Sequence, residues 1–313
     1  MIMGRFASEA ICIRHWDFSE TSQTVSLFSR DRGLIRGLAK GSKREKSRFS
    51  GGIELLTRGR ITAITKSGRE LATLTEWDLE EIFPAISRDL RAYYAGMYFA
   101  DLAQHLVSQG DTHPRLFDAL AQMLRGMVTP SSVGGGVGNR ANDCHKERYD
   151  AVAVSVLGFQ WAILCEAGYR PVLDENAETG GKLAANGGEE RNGDGAENGD
   201  TVLKTAKATV AFSARAGGVV ADTGAGDRWR VRWETIALLR RVAQEWDDAG
   251  WVDEGNEEVE KPVFLELSRI LAGYDGVQDV KVERANRLLA AYLRTILDRE
   301  LATMKSVIGE IGL

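Results

Sequence analysis

The chain has 313 residues, of which 43% are apolar and 27% charged, the composition of a soluble globular protein with about two domains. No run of eighteen apolar residues occurs and the first sixteen residues lack an apolar core, so we expect neither a membrane span nor a cleaved secretory signal. Three widely spaced cysteines support neither a disulfide framework nor a four-cysteine zinc site, and they indicate a reducing cytoplasm.

The charge is distributed unevenly along the chain. The net charge is −5, but residues 1–80 carry 14 Lys and Arg against 10 Asp and Glu. Residues 174–200 carry eight acidic and two basic residues. A positive N-terminal region can attract a polyanion whatever the average charge of the chain, so a nucleic-acid partner is not excluded.

The first 80 residues show the pattern of short strands separated by glycines. Alternating or β-branched segments predict strands near residues 9–15, 23–29, 33–40, 53–66 and 70–78. Five short strands in about 70 residues are typical of a small closed barrel such as an OB-fold. A small SH3-like barrel would give nearly the same pattern.

From Pro84 onwards, apolar residues recur at spacings of three and four, which predicts helices. We expect helices near residues 90–110, 114–127, 149–167, 229–246 and 280–307, one more opening at Pro262, a loop at 129–146 and strand-like pieces at 207–221. Residues 174–201 contain too few apolar side chains to offset an ordering entropy of ~1–2 kcal/mol per residue, and we expect them to be disordered. The predicted fold class is α+β, an N-terminal OB-fold barrel followed by an α-helical domain.

Motifs for catalysis are missing from the sequence. The segment 37–43 does not match a phosphate-binding P-loop, and the G-x-G-x-x-A at residues 136–141 follows no predicted strand. The four histidines lack metal-ligand spacing, and Cys144-His145 has no second pair nearby. We therefore expect a protein that is not an enzyme and needs no cofactor.

One basic run stands out between residues 30 and 48. It contains two acidic residues and eight basic ones: Arg30, Arg32, Arg36, Lys40, Lys43, Arg44, Lys46 and Arg48. Charge at this density attracts a polyanion through counterion release, and the interspersed glycines let phosphates approach the backbone. Phe49 ends the run and either stacks on a base or fills the barrel core. The alternative is a solvated charged hairpin without a ligand.

Five segments of the first 50 residues occur in a distinctive order. They are the strand 9–14, the Ser-Glu-Thr turn 19–21, the Leu-Phe-Ser-Arg-Asp-Arg-Gly segment 27–33, the Ala-Lys-Gly basic segment 38–44 and the Ser-Arg-Phe ending 46–49. In this order they resemble the start of the bacterial RecO family of recombination mediators. Looser similarities follow at residues 74–76, 166–171 and 212–218.

The resemblance implies an OB-fold and a helical domain, and a protein that binds single- and double-stranded DNA and anneals complementary strands. Family members work with RecR, often with RecF, and with the single-strand DNA-binding protein, and they help to load the RecA recombinase. They are not known as enzymes. For this chain the resemblance implies a cytoplasmic, nucleoid-associated DNA repair protein whose basic run contacts DNA.

The resemblance also divides the chain into regions. We expect an OB-fold DNA-binding domain at 1–80, the first part of the helical domain at 81–173, a degenerate zinc module with a disordered acidic insertion at 174–228, and the rest of the helical domain at 229–313. Many members carry two C-x-x-C pairs that bind zinc. Here Asn176 and Thr179 occupy the first pair's spacing, and Ala221 and Gly224 roughly the second's, so no metal is expected.

Two rival functions remain open from the sequence. The barrel of a non-enzymatic docking module would bind an acidic protein partner in place of DNA. A nuclease would need a metal-ligand cluster, which the sequence does not offer.

Overall fold

The computed structural model describes residues 3–127 except 50, 67 and 69, together with residues 150–181, 209–248 and 278–309. The described residues form two compact units, the first made of residues 3–127 and 301–307 and the second of the remainder. The predicted loop at 129–146 and the predicted helix after Pro262 lie outside the described residues. Within the described ranges, no helix is both long enough and apolar enough to cross a membrane.

The first unit begins with a closed five-stranded barrel. Its strands are β1 (Met3–Ser19), β2 (Ser22–Ser29), β3 (Gly33–Ala39), β4 (Thr57–Lys66) and β5 (Ala72–Ile82). They are ordered β1-β2-β3-β5-β4, and β4 pairs back onto β1. The pairing of β3 with β5 is parallel, whereas the other neighbours are antiparallel. This closure is that of an OB-fold, so the OB-fold prediction is confirmed over the SH3-like one.

Alternate side chains of each strand fill the barrel, because successive residues of a strand point to opposite faces. On β3, Ile35 and Ala39 are buried in the core, while Arg36 between them is exposed. The barrel core is apolar and includes Ala10, Cys12, Val25, Leu27, Ile61, Ala63, Leu74 and Trp77.

Helices account for most of the remaining described structure. They are α1 (Pro84–Arg88), α2 (Leu90–Leu106), α3 (Pro114–Gly126), α4 (Ala151–Glu166), α5 (Trp233–Asp248), α6 (Gln278–Leu297) and α7 (Ala302–Ile308). The Asp89 side chain caps α2 by accepting the backbone N–H groups of Arg91 and Ala92, and Asp150 caps α4 in the same way. Pro84 and Pro114 open α1 and α3 at the first turn, where a missing N–H has no consequence.

Helices α2 and α3 pack on the barrel within the first unit, and α7 is joined to α2. The Phe28 ring of β2 meets the Phe117 ring of α3 edge to face, with 5.8 Å between centroids. The Asp101 carboxylate of α2 accepts from Arg14 Nη2 of β1 at 2.6 Å and from Thr303 Oγ1 of α7 at 2.7 Å. These contacts fix the helices against one side of the barrel.

The second unit combines a three-stranded sheet with α4, α5 and α6. The sheet strands are β6 (Thr209–Ser213), β7 (Gly218–Val220) and β8 (Arg228–Arg232), in the order β7-β6-β8. Helix α4 is buried along almost its whole length, consistent with its apolar sequence. The central Phe212 ring stacks on Trp229 and meets Tyr292 of α6 edge to face.

Three sequence predictions for this unit and the chain end are wrong. Residues 228–232 form a strand, so α5 begins at Trp233 and Trp229 is not helical. The predicted long last helix is two helices, because Asp298 adopts a φ of 49° and ends α6. We expected disorder from 174 to 201, but residues 174–181 are ordered and the Asn176 side chain is buried. Residues 182–201 lie outside the described part of the chain.

Candidate nucleic-acid interface

The predicted basic run continues from β3 into the connection between β3 and β4, whose residues 40–48 we call the basic loop. The loop is a series of tight turns, in which Arg44 N–H donates to Gly41 O at 3.1 Å and Ser47 N–H donates to Arg44 O at 3.0 Å. Gly41 has a φ of 67°, a conformation that favours glycine. At its end, Trp77 N–H of β5 donates to Arg48 O at 3.0 Å. The loop is therefore held by hydrogen bonds along its length.

A buried glutamine on β2 organises the loop from beneath. Gln23 Oε1 accepts from Ser42 Oγ and from the backbone N–H of Ile53, each at 3.0 Å. Gln23 Nε2 lies 3.3 Å from Ile53 O, to which it donates, and 3.2 Å from His15 Nδ1. Buried polar groups are stable when they are paired in this way. Gln23 thus joins the start of the basic loop, the segment after it and β1.

The basic loop is also tied to the β1–β2 hairpin, residues 15–24. Lys43 Nζ lies 2.5 Å from Asp17 Oδ1, and Lys43 N–H donates to Thr21 O at 3.1 Å. Gly41 N–H donates to Ser22 Oγ at 3.1 Å. The hydrogen bond from Lys43 lowers the pKa of Asp17 and so favours the ionised carboxylate. The loop and the hairpin form one continuous surface.

The structure brings most of the predicted basic residues to the surface. The exposed ones are Arg32, Arg36, Lys40, Lys43, Arg44, Lys46 and Arg48. Arg30 is half-buried, and its Nε and Nη2 donate to the Asp118 carboxylate of α3 at 3.1 and 3.0 Å. This two-pronged pair gives Arg30 a packing role between barrel and helix.

Phe49 is in the barrel core and not on the loop surface. It is 4% exposed and belongs to the same cluster as Trp77 and Ile53. Of the two roles that the sequence left open for Phe49, the structure favours core filling, since a buried ring cannot stack on a base.

Two large apolar side chains on the hairpin were missed by sequence reasoning. Trp16 is 50% exposed and Phe18 is 64% exposed. The predicted first strand ended at residue 15, whereas β1 continues to Ser19 and carries both rings to the hairpin end. The signal was a Trp-Asp-Phe sequence just before the Ser-Glu-Thr turn, beyond the alternating core pattern.

A cleft of about 290 Å³ lies beside the first half of β3. Phe6, Arg32 and Arg36 line it together with Gln109 and the carboxylates of Asp31 and Glu70. The Arg32 guanidinium carbon lies 4.3 Å from the centroid of the Phe6 ring, a cation–π contact. Arg32 and Lys40 lie immediately before and after β3. Cations therefore extend from this cleft to the basic loop.

The shifted pKa values in the barrel have structural causes. In the part of the chain that the structure describes, no three His, Cys, Asp or Glu side chains converge to hold a metal. Burial raises the pKa of the Cys12 thiol, so it stays protonated and unreactive. Burial opposes ionisation of Glu81, but hydrogen bonds from Arg125 and Arg58 outweigh it and lower its pKa, as in a structural ion pair.

Two family comparisons match this architecture. Residues 3–83, which include the whole barrel, match the family described as Recombination protein O N terminal. Residues 87–133 match Recombination protein O C terminal. The chain belongs to the RecO family. The first match covers the barrel and the basic loop, and the second covers helices α2 and α3.

Curated relatives carry the name DNA repair protein RecO. The chain is 44% identical to the one from Rhodopirellula baltica over 109 residues, 35% of this chain and 40% of the relative. It is 25% identical to the one from Syntrophotalea carbinolica over 171 residues, 55% and 59% of the two chains. It is 28% identical to the one from Pelotomaculum thermopropionicum over 182 residues, 58% and 62%. The chain thus matches about half the length of these relatives.

The positions at which many RecO proteins carry zinc ligands do not fit a zinc ion here. Asn176, Thr179, Ala221 and Gly224 supply neither thiolate nor imidazole. The Asn176 side chain closes the first turn, since its Oδ1 accepts Glu178 N–H at 2.9 Å. In the second turn, the Asp222 side chain accepts Gly224 N–H at 3.1 Å. Hydrogen bonds shape both turns.

One arginine connects these two turns. Arg228 Nη1 donates to Ala221 O at 2.9 Å, and Arg228 Nη2 donates to both carboxylate oxygens of Glu178 at 3.0 Å. The Arg228 side chain is only 11% exposed, whereas its Glu178 partner is 42% exposed, so the pair lies at the protein surface with its guanidinium largely buried. A guanidinium thus links the turns that the two cysteine pairs of a zinc module would link.

Proposed function

We propose that this RecO-family chain is a DNA-binding mediator of recombinational repair that holds DNA through the barrel. The observation that carries the proposal is the exposure of seven cations along β3 and the basic loop, on a backbone already fixed by hydrogen bonds. Lys and Arg side chains that replace condensed counterions give affinity for any phosphate backbone, single- or double-stranded. Binding is therefore independent of sequence.

The proposed mechanism involves no covalent chemistry, and the protein is not an enzyme. The basic surface neutralises the repulsion between phosphates and keeps strands available for pairing, which is what annealing requires. By analogy with the family, the chain acts with RecR and RecF and on strands coated by the single-strand DNA-binding protein, and it assists recombinase loading. DNA binding also places it on the nucleoid in the cytoplasm.

Salt titration of single-strand binding tests this proposal. The variant K40A/K43A/R44A/K46A removes up to four phosphate contacts of the basic loop. We expect the slope of log K against log salt to flatten by about 3, at ~0.7 per contact, and affinity at low salt to fall. The measurement is fluorescence anisotropy of a labelled oligonucleotide over a series of salt concentrations.

A charge-matched variant provides the control. R230A/R232A/R287A/R299A removes four exposed cations from the second unit and should leave the slope at the wild-type value. An unchanged slope and affinity in the basic-loop variant would exclude the loop as the DNA site. Failure of the wild-type chain to bind DNA, with binding of an acidic protein in its place, would favour the docking-module alternative.

A further inference from the structure

The end of the β1–β2 hairpin exposes two aromatic rings beside the basic loop. Trp16 is 50% exposed and Phe18 is 64% exposed, which makes Phe18 one of the most exposed large apolar side chains of the barrel. Rings of this size bury readily in a core, and the same barrel buries Trp77 and Phe49. Two such rings left in water at one end of one hairpin suggest a ligand with a flat apolar face.

The backbone aims these rings away from the core. Trp16 pairs with Thr24 across the hairpin, and the register shifts between Asp17 and Ser19, which leaves Phe18 at a bulge. Bulges bend a strand and redirect its side chains. His15 and Asp17 contact Gln23 and Lys43, so by alternation Trp16 lies on the other face of this narrow ribbon.

The hairpin is held in a fixed position relative to the phosphate-binding cations. Lys43 of the basic loop contacts the hairpin twice, through its ammonium group and through its backbone N–H. Gln23 of the hairpin accepts hydrogen bonds from both ends of the segment 42–53. Trp16 and the Lys43 contact lie on opposite faces of the ribbon, so a strand that holds both passes around the hairpin end, where the two β-strands are only about 5 Å apart. Rings and cations are therefore presented together with little motion to be lost on binding.

We propose that Trp16 and Phe18 stack on unpaired bases of the strand that the basic loop holds. This inference rests on the proposed function, because it assigns the base contacts of the same site. Every base has a π-face, so stacking adds affinity without reading sequence. Bases in a duplex are already stacked on one another, and the two rings therefore favour single strands. The basic loop supplies the electrostatic attraction to phosphates, and the hairpin supplies the preference for unpaired DNA.

The double variant W16A/F18A tests the proposal. We expect its affinity for a dT oligonucleotide to fall by a factor of about 5 to 150 per ring, from a stacking contribution of this size per base. The slope of log K against log salt should stay at the wild-type value, since no phosphate contact is removed. Affinity for a duplex of equal length should stay within about two-fold. W16F/F18Y keeps both rings and should restore most of the single-strand affinity.

A second pair of exposed rings serves as the control. Y93A/Y94A removes two rings of α2 that are exposed to 37% and 39%, and it should leave both affinities unchanged. Circular dichroism melting establishes that each variant is folded. Stacking of a base on Trp16 should quench its fluorescence, and comparison of the wild type with W16F gives the part of the quenching that comes from Trp16.

The outcomes separate this inference from the proposed function. If W16A/F18A binds single strands as the wild type does while the basic-loop variant has lost salt-dependent affinity, stacking is wrong and the proposed function stands. Equal losses for duplex and single strand would also overturn stacking. If the wild-type chain binds neither single strands nor duplex, both the stacking proposal and the proposed function are wrong. Both are also wrong if Trp16 and Phe18 bind a protein partner and the chain does not bind DNA.

Discussion

Gln23 shows how much of the candidate site depends on one side chain. It contributes no charge to the DNA surface, yet its amide accepts from Ser42 and Ile53 at the two ends of the segment that contains the basic loop. Loss of the amide leaves two buried donors unpaired, and each unpaired group destabilises by about 1–3 kcal/mol. The position of the basic loop is therefore coupled to the stability of the barrel.

We predict that Gln23→Ala lowers the free energy of unfolding by about 2–6 kcal/mol and weakens single-strand binding, although every cation is retained. Urea denaturation measures the first effect and anisotropy titration the second. Gln109→Ala, at an exposed position, should leave stability unchanged. Full stability in Gln23→Ala would show that Ser42 and the Ile53 backbone find other partners.

Residues of the site differ in how well the sequence predicts them. The density of Lys and Arg between residues 30 and 48 was sufficient to predict a cationic surface, and seven of those eight side chains are exposed. The role of Phe49 could not be decided from sequence, because its burial depends on how the loop returns to β5 through the hydrogen bond between Arg48 and Trp77. Trp16 and Phe18 were missed because an aromatic strand end resembles core until the length of β1 is known.

At the scale of elements, periodicity predicts strands and helices well where one face is buried. Alternation located all five barrel strands, but the parallel pairing of β3 with β5 depends on contacts distant in sequence. Residues 229–232 were predicted as helix because Trp229 and Trp233 are four apart, a helical spacing, but the intervening Arg-Val-Arg pairs with β6. The left-handed Asp298 that divides the last helix has no sequence signal comparable to glycine.

The link made by Arg228 yields a prediction for the second unit. Arg228→Ala removes the donor to the Ala221 carbonyl and to the Glu178 carboxylate, and with it the largely buried guanidinium that joins the two turns. We expect a drop in melting temperature of several degrees, and a smaller drop for Arg228→Lys, which cannot span both turns as a planar fork. Differential scanning calorimetry measures the change.

Calorimetry in the presence of EDTA tests whether Arg228 or a bound metal holds the two turns together. Because the four ligand positions lack thiolates, we expect the chelator to leave the wild-type melting temperature unchanged and elemental analysis to find well under one zinc per chain. Arg230→Ala, at an exposed position with a surface ion pair, is the matched control. Stoichiometric zinc, or a chelator-induced loss of structure, would contradict this interpretation of the module.

For the whole molecule, the distribution of charge matters more than its sum. A chain with a net charge of −5 still presents seven exposed cations along β3 and the basic loop, because 14 of its 40 Lys and Arg residues lie in the first 80 residues, against 10 Asp and Glu. The return of residues 301–307 to the first unit is a property of the folded chain, made by contacts such as Thr303 with Asp101, and local periodicity cannot predict it. The fold class was predictable, whereas the division into units was not.

The central claim is that the basic barrel surface holds single strands available for pairing. Annealing of complementary strands coated with single-strand DNA-binding protein tests it most directly, with the wild-type chain compared to K40A/K43A/R44A/K46A. We predict that the wild-type chain accelerates pairing and that the variant leaves it near the uncatalysed rate. Equal acceleration by both proteins, or none by a wild-type chain that binds the strands, would contradict the account.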